Sequence, residues 1–193
     1  MRELFRMVFV LTAICAGAAL VLAYANKATQ PAREYQLLKY VQGPSVKKVL
    51  KGYDNDPIKD VIEVSMGKDE KGQPINMKIF PGKKGGKMIG LAYSSSAQGY
   101  HGQIEVMVGV DMNGTITGIS IMRHSETPGL GARVVEPAFT NQFAGMKLSG
   151  QLNLSARGGK IDGVSGASFS SQGVVSAVRK ALQLFPKVKK EVS

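Results

Sequence analysis

The chain has 193 residues, 44% of them hydrophobic, and a formal net charge of +11. That length fits one domain with an appendage, and the apolar content is enough for a true core. One cysteine and two histidines exclude a disulfide framework, a cysteine-ligated zinc site, an iron–sulfur cluster or a histidine metal site built by this chain alone.

The first strong feature is the apolar run from Met7 to Ala25, interrupted by Thr12. As a helix it spans about 28 Å, close to one hydrocarbon thickness. Arg2 and Arg6 precede it, so the positive-inside rule predicts a cytoplasmic N-terminus with the remainder outside. Ala23-Tyr24-Ala25 fits a signal-peptidase site, but the run is longer than a usual signal core, which favours a retained anchor surrounded by lipid. Ile14 before Cys15 does not suit lipoprotein processing.

The chain therefore divides into a tip and transmembrane anchor (1–28), a juxtamembrane linker with short helices (29–60) and an extracytoplasmic domain (61–193). In the linker, Pro31 suits a first helical turn, Tyr35, Leu38 and Val41 share a face, and Gly43-Pro44 is a stop. A second short helix is expected over Val46–Leu50. Tyr53-Asp54-Asn55-Asp56-Pro57 is turn chemistry; it lacks the further ligands of a calcium loop. Strand signals follow at Val61–Val64, at Ile75, Met77 and Ile79, and at Met88–Tyr93. Ile104, Val106, Val108 and Val110 alternate strictly, Asp111-Met112-Asn113-Gly114 turns, and Ile116, Ile119 and Ile121 continue: a β-hairpin. Phe139 and Phe143 suggest a short helix after Pro137. Val174, Val178, Ala181, Leu182 and Phe185 mark one face of a final amphipathic helix. The predicted class is α+β, an antiparallel sheet flanked by helices, with one N-terminal transmembrane helix.

The basic balance raises the question of nucleic acid. Lys83, Lys84 and Lys87 fall in a Gly-rich loop, Lys187, Lys189 and Lys190 at the C-terminal helix end, and no nucleic-acid motif accompanies them. Solvated basic surface is the simpler reading, with an acidic partner as an alternative.

Two stretches carry chemistry. Asp162-Gly163-Val164-Ser165-Gly166-Ala167-Ser168-Phe169-Ser170-Ser171 is a serine-rich loop opening into the final helix, where unpaired N–H groups and the helix dipole suit a phosphate; an ordinary N-cap is the plainer alternative. His124-Ser125-Glu126-Thr127-Pro128-Gly129-Leu130-Gly131 is a rigid turn whose close backbone, apolar side chain and polar groups suit a flat aromatic ligand, or else simply joins strand to helix. A serine hydrolase using Ser165 or Ser168 with His124 as base is disfavoured, because the surrounding pattern is not a nucleophile elbow. A membrane-anchored scaffold without a redox group is a further alternative.

The first stretch resembles the D-x-x-[ST]-G-A-[ST] flavinylation motif of the FMN-binding domain family. The second is similar to the H-x-E-T-P-G-L-G signature of the G subunit of the Rnf complex, the ion-translocating ferredoxin:NAD⁺ oxidoreductase. That family is related to the C subunit of the sodium-pumping NADH:quinone reductase. Gly99-Tyr100-His101-Gly102 and Tyr53-Asp54-Asn55-Asp56 match further stretches. The resemblance implies an electron carrier with covalent FMN attached through a phosphoester at Ser168 by a flavin transferase that uses FAD. It implies that Ser165, Gly166, Ala167, Phe169 and Ser170 line the phosphate and ribityl chain, that Glu126, Thr127 and Leu130 contact the isoalloxazine, and that His124 and Tyr100 also take part in cofactor binding. Asp162 belongs to the motif, either read by the transferase or placing metal during attachment. The implied partners are the other membrane subunits of the complex.

Overall fold

The computed structural model describes residues 1–68 and 74–192. It separates into two compact units, Met1–Tyr40 and the remainder from Val41.

The first unit is helix α1, Arg2–Leu37. Its apolar side chains, Phe5, Phe9, Leu11, Ile14 and Leu20 among them, are exposed, and the helix is long and apolar enough to cross a membrane. Exposed apolar side chains along such a stretch suit a membrane anchor. The expected break at residue 29 is absent: α1 runs straight through Pro31 and passes into a π-helical turn, Leu38–Gln42. Proline removes one backbone donor, but the residues around it, Ala28, Gln30, Ala32, Arg33 and Gln36, are mostly strong helix formers.

The second unit begins with α2, Gly43–Val49, in which Pro44 occupies the first turn. Gly43-Pro44 thus opens a helix instead of stopping one, because the missing proline N–H is one that a first turn leaves unpaired anyway. Five strands follow: β1 Ile62–Lys68, β2 Pro74–Lys84, β3 Lys87–Gln98, β4 Gln103–Asp111 and β5 Ile116–Arg123. They form one antiparallel sheet in sequential order. Ile75 lies in β2, although its side chain is outside the described residues. Lys83, Lys84 and Lys87 belong to strands, not to a loop; only Gly85 and Gly86 turn between β2 and β3, both at positive φ. After the sheet come a 3-10 turn at Gly131–Val135, the short helix α3 Pro137–Thr140, two further 3-10 turns at Asn141–Phe143 and Ser155–Arg157, and the long α4, Ser168–Val192.

The alternating residues of β4 point at α4. Ile104, Val106, Val108 and Val110 are fully buried with Val174, Val178 and Ala181 in one cluster. Fully burying such a side chain contributes about 1.5–3 kcal/mol. The Tyr93 hydroxyl donates to Ala181 O at 2.9 Å, tying β3 to α4 inside this core; burial pushes its pKa well up.

The opposite face is buried too, which alternation in β4 alone does not predict. Phe80, Ala92 and Met107 are covered, as are Val46 and Val49 of α2. The approach of α2 depends on the paired Gly109 and Gly118: a Cβ on Gly109 would lie 2.4 Å from Val49 O. The Thr117 hydroxyl donates to that same carbonyl at the end of α2.

The Tyr53–Pro57 segment is more than a turn. Asp54 N donates to Lys83 O at 2.8 Å, and Asp54 Oδ2 accepts from Gly85 N at 2.7 Å. The Asn55 side chain accepts from Lys83 N at 2.8 Å and donates to Pro81 O and Asp60 Oδ2, each at 2.9 Å. These bonds hold the β2–β3 hairpin to the chain that precedes the sheet. They also lower the Asp60 pKa, chiefly through the bond from Asn55 and then through Lys83 Nζ at 3.2 Å.

Candidate functional site

Both chemistry-bearing stretches come together at the N-terminal end of α4. Ala167 O accepts from Ser171 N at 2.9 Å, so α4 starts at Ser168, whose side chain is exposed. The loop before it is held by Ser171, a fully buried residue that nothing in the sequence singled out from its neighbours. Its hydroxyl accepts from Val164 N and donates to Ala167 O, each at 2.9 Å. Asp162 is exposed and fixed through its backbone: its N–H donates to Gln142 Oε1 at 2.7 Å, and its carbonyl accepts from Gln142 Nε2 at 3.1 Å. No local pattern could have revealed Gln142, because the pairing joins residues 20 apart in the chain.

Glu126 is the hub on the other side. It is 5% exposed, and its carboxylate accepts from Tyr100 N at 3.1 Å, from His101 N at 3.2 Å and from the Ser170 hydroxyl. One buried carboxylate therefore joins the loop after β3, the turn after β5 and the first turn of α4. Hydrogen bonds of this charge-assisted kind offset the cost of burying it. Gly131 is required beside it, since a Cβ there would lie 2.7 Å from the Ser170 hydroxyl oxygen and 3.0 Å from the Glu126 side chain.

Around this hub lies an open hollow of about 270 Å³, lined by Tyr100, Glu126, Thr127, Leu130, Gly131, Gly166, Ala167, Ser168, Phe169 and Ser170. Phe169 is 70% exposed, Tyr100 63% and Leu130 45%. The Tyr100 and Phe169 rings stand 6.0 Å apart at 42°. Uncovered aromatic and aliphatic side chains at the rim of a concave site suit a flat ring. A second hollow of about 420 Å³ adjoins it, sharing Gly166, Ser168 and Phe169 and adding Leu154, Ser155, Ala156, Arg157, Gly163, Val164 and Ser165.

Two sequence candidates stand apart. Ser165 lines only the second hollow. His124 lines neither; its Nδ1 accepts from Glu126 N at 3.3 Å, so it braces the turn that carries Glu126. His101, unassigned from sequence, lies nearer: its Nδ1 is 3.3 Å from the Thr127 hydroxyl, and its ring meets Tyr100 edge-on at 4.7 Å. Among the described residues, no hydrogen bond joins His124 to Ser165 or Ser168, so the hydrolase alternative gains no support here.

The chain combines an antiparallel sheet, with a hollow beside the last helix, and one N-terminal helix long and apolar enough to cross a membrane. The FMN-binding domain family matches residues 99–183. The chain is 30% identical to the G subunit of the ion-translocating oxidoreductase complex of Methanosarcina acetivorans over 187 residues, 94% of both chains. It is 28% identical to the G subunit of the Na⁺-translocating ferredoxin:NAD⁺ oxidoreductase complex of Acetobacterium woodii, covering 98% of this chain and 95% of that one. The fold is shared with the crystal structure of the C subunit of Na⁺-translocating NADH-quinone reductase from Parabacteroides distasonis, with a TM-score of 0.53 at 20% identity, over 76% of this chain and 89% of the other. The chain belongs to the G-subunit family of ion-translocating oxidoreductase complexes.

Proposed function

We propose that this chain is the single-span electron-carrier subunit of an ion-translocating ferredoxin:NAD⁺ oxidoreductase complex, holding FMN covalently through Ser168. The observation that carries the reading is Ser168 itself: an exposed hydroxyl at the first turn of α4, lining both hollows beside the uncovered Phe169 ring. In the attachment step, Ser168 Oγ bonds the FMN phosphorus of FAD, its proton leaves, and AMP departs; a flavin transferase partner carries this out. Bound FMN accepts electrons and passes them on.

The chain's own residues provide the setting. Phe169, Tyr100 and Leu130 cover apolar ring surface, Thr127 offers a hydroxyl to a ring edge, and Glu126 keeps the three surrounding segments in place. Asp162, exposed and held by Gln142, is available to the transferase. The chain has no catalysis of its own toward ferredoxin or NAD⁺; the translocase activity belongs to the complex, and its other membrane subunits are the partners. Helix α1 anchors the domain in lipid, and Arg2 and Arg6 set the sidedness, N-terminus cytoplasmic and domain on the periplasmic side.

The test is flavin fluorescence in a denaturing gel together with intact mass. Wild-type chain matured with its transferase should carry a fluorescent band and an FMN-sized mass increment, both lost in Ser168→Ala. Flavin that separates from the wild-type chain on denaturation overturns the covalent reading. A colourless protein from a fully assembled complex returns the scaffold alternative. Protease added to spheroplasts should digest the domain but not the N-terminal tip.

A further inference from the structure

The two hollows that share Ser168 have opposite charge. The first contains the Glu126 carboxylate, and no lysine or arginine lines it. The second has no acidic residue in its lining and is lined by Arg157, together with Ser155 and Ser165. A phosphodiester on Ser168 carries one negative charge at every physiological pH. Placed toward Glu126 it would be repelled, and placed toward the exposed Arg157 it would be attracted. The geometry points to Arg157 as the phosphate-binding residue of this site, so that the second hollow receives the anionic phosphate of a flavin nucleotide while the first receives its ring.

Arg157 is presented by a rigid loop. It ends a 3-10 turn closed by Gly158 in the left-handed conformation. The turn is pinned by a bridge between Leu154 and Ile161, with Ser155 N donating to Ile161 O at 2.8 Å. Gly159 packs so tightly that a Cβ would lie 2.0 Å from Asn153 O. Leu154 is 5% exposed and Ile161 fully buried, which fixes the loop to the core. Among the described residues, the ion pairs do not involve Arg157. A guanidinium held by its backbone but not committed to a carboxylate is arranged to meet an anion from outside the chain. Arginine suits this role because its planar fork can donate two bonds to one phosphate.

This inference rests on the flavin reading of the site, but it is tested without the covalent bond. In full-length Ser168→Ala protein, FMN and riboflavin are titrated separately and followed by quenching of flavin fluorescence. The two ligands differ only in the phosphate. A charge-assisted contact predicts FMN binding about ten-fold tighter than riboflavin. Arg157→Gln added to Ser168→Ala should abolish that difference while leaving riboflavin affinity unchanged, and Arg157→Lys should keep part of it. Equal affinity for the two flavins, a preference that survives Arg157→Gln, or failure of both flavins to bind each overturns the phosphate assignment. None of these outcomes touches the covalent reading, which the denaturing gel decides by itself. Inorganic phosphate is the last arm: a preference for FMN that persists in excess phosphate supports a hollow fitted to the flavin phosphate, whereas displacement by equimolar phosphate reduces it to a general anion site and overturns the assignment. Thermal melts of the Arg157 variants should match that of the parent, separating loss of the contact from loss of the fold.

Discussion

Asn55 and Glu126 do similar mechanical work in two loops of this domain. Each is a side chain that reaches across space to satisfy main-chain groups of a distant segment: Asn55 those of the β2–β3 hairpin, Glu126 those of the loop after β3. They differ in chemistry. The carboxamide of Asn55 both donates and accepts, so it pairs with an N–H and with a carbonyl. The carboxylate of Glu126 only accepts, so it collects donors, two N–H groups and the Ser170 hydroxyl. The first device leaves no charge behind. The second places a carboxylate in the lining of a hollow, which on the proposal above disfavours the phosphate end of a ligand there. A brace made of an amide builds only structure, whereas a brace made of a buried acid also shapes the electrostatics of the site.

The comparison is tested most severely at Glu126. Glu126→Ala strands two N–H groups and a hydroxyl in a buried place, and the loss of stability should be about 3 kcal/mol or more by chemical denaturation of the full chain. The Tyr100 loop should loosen with it, and flavin loading should fall. A variant that keeps both stability and loading would show that the carboxylate is not the hub. Asn55→Ala is the milder counterpart. It removes three part-buried hydrogen bonds, and a loss of about 1–2 kcal/mol is expected. Flavin loading should not change; if it does, the distinction between the two braces fails.

The smallest effect is on pH. The bonds from Asn55 and Lys83 hold the Asp60 pKa below the ordinary carboxylate value of 3.8. The folded-state value is depressed, so the stabilisation is fully present above the ordinary value and is lost as pH falls through the lower folded one. Acid titration of stability should therefore lose a shallow component in Asp60→Asn, and Asn55→Ala should move the Asp60 titration upward toward the ordinary value, as read by NMR of its side-chain carboxyl. Solvent screening at this half-exposed site keeps the effect small.

Much of the architecture was legible because it rests on local periodicity. The face of α4 from Val174 to Phe185 and the alternation from Ile104 to Val110 both describe which side of an element is buried, and both sets are indeed buried in one core. Proline and glycine were less informative. Pro31 and Gly43-Pro44 read as punctuation along the chain, yet one lies within a helix and the other opens one, because flanking helix formers and position within the turn decide what a proline does. Covering of the outer sheet face by α2 depends on Gly109 and Gly118 meeting across a strand pair, a relation between residues on different strands.

The chain's order of residues determined the apolar N-terminal span, the antiparallel meander, the final helix and the loop in front of it that carries Ser168, since each follows from neighbours in sequence. The tertiary structure decided the rest: that Glu126 is a buried acceptor, that His124 accepts from the Glu126 N–H and lines neither hollow, that Gln142 holds the backbone of Asp162, and that Arg157 lines the second hollow. The Gln142 and Glu126 contacts join residues 20 and 44 apart in the chain, and hydrogen bonds and Coulomb forces respond to distance in space, which periodicity along a chain does not encode.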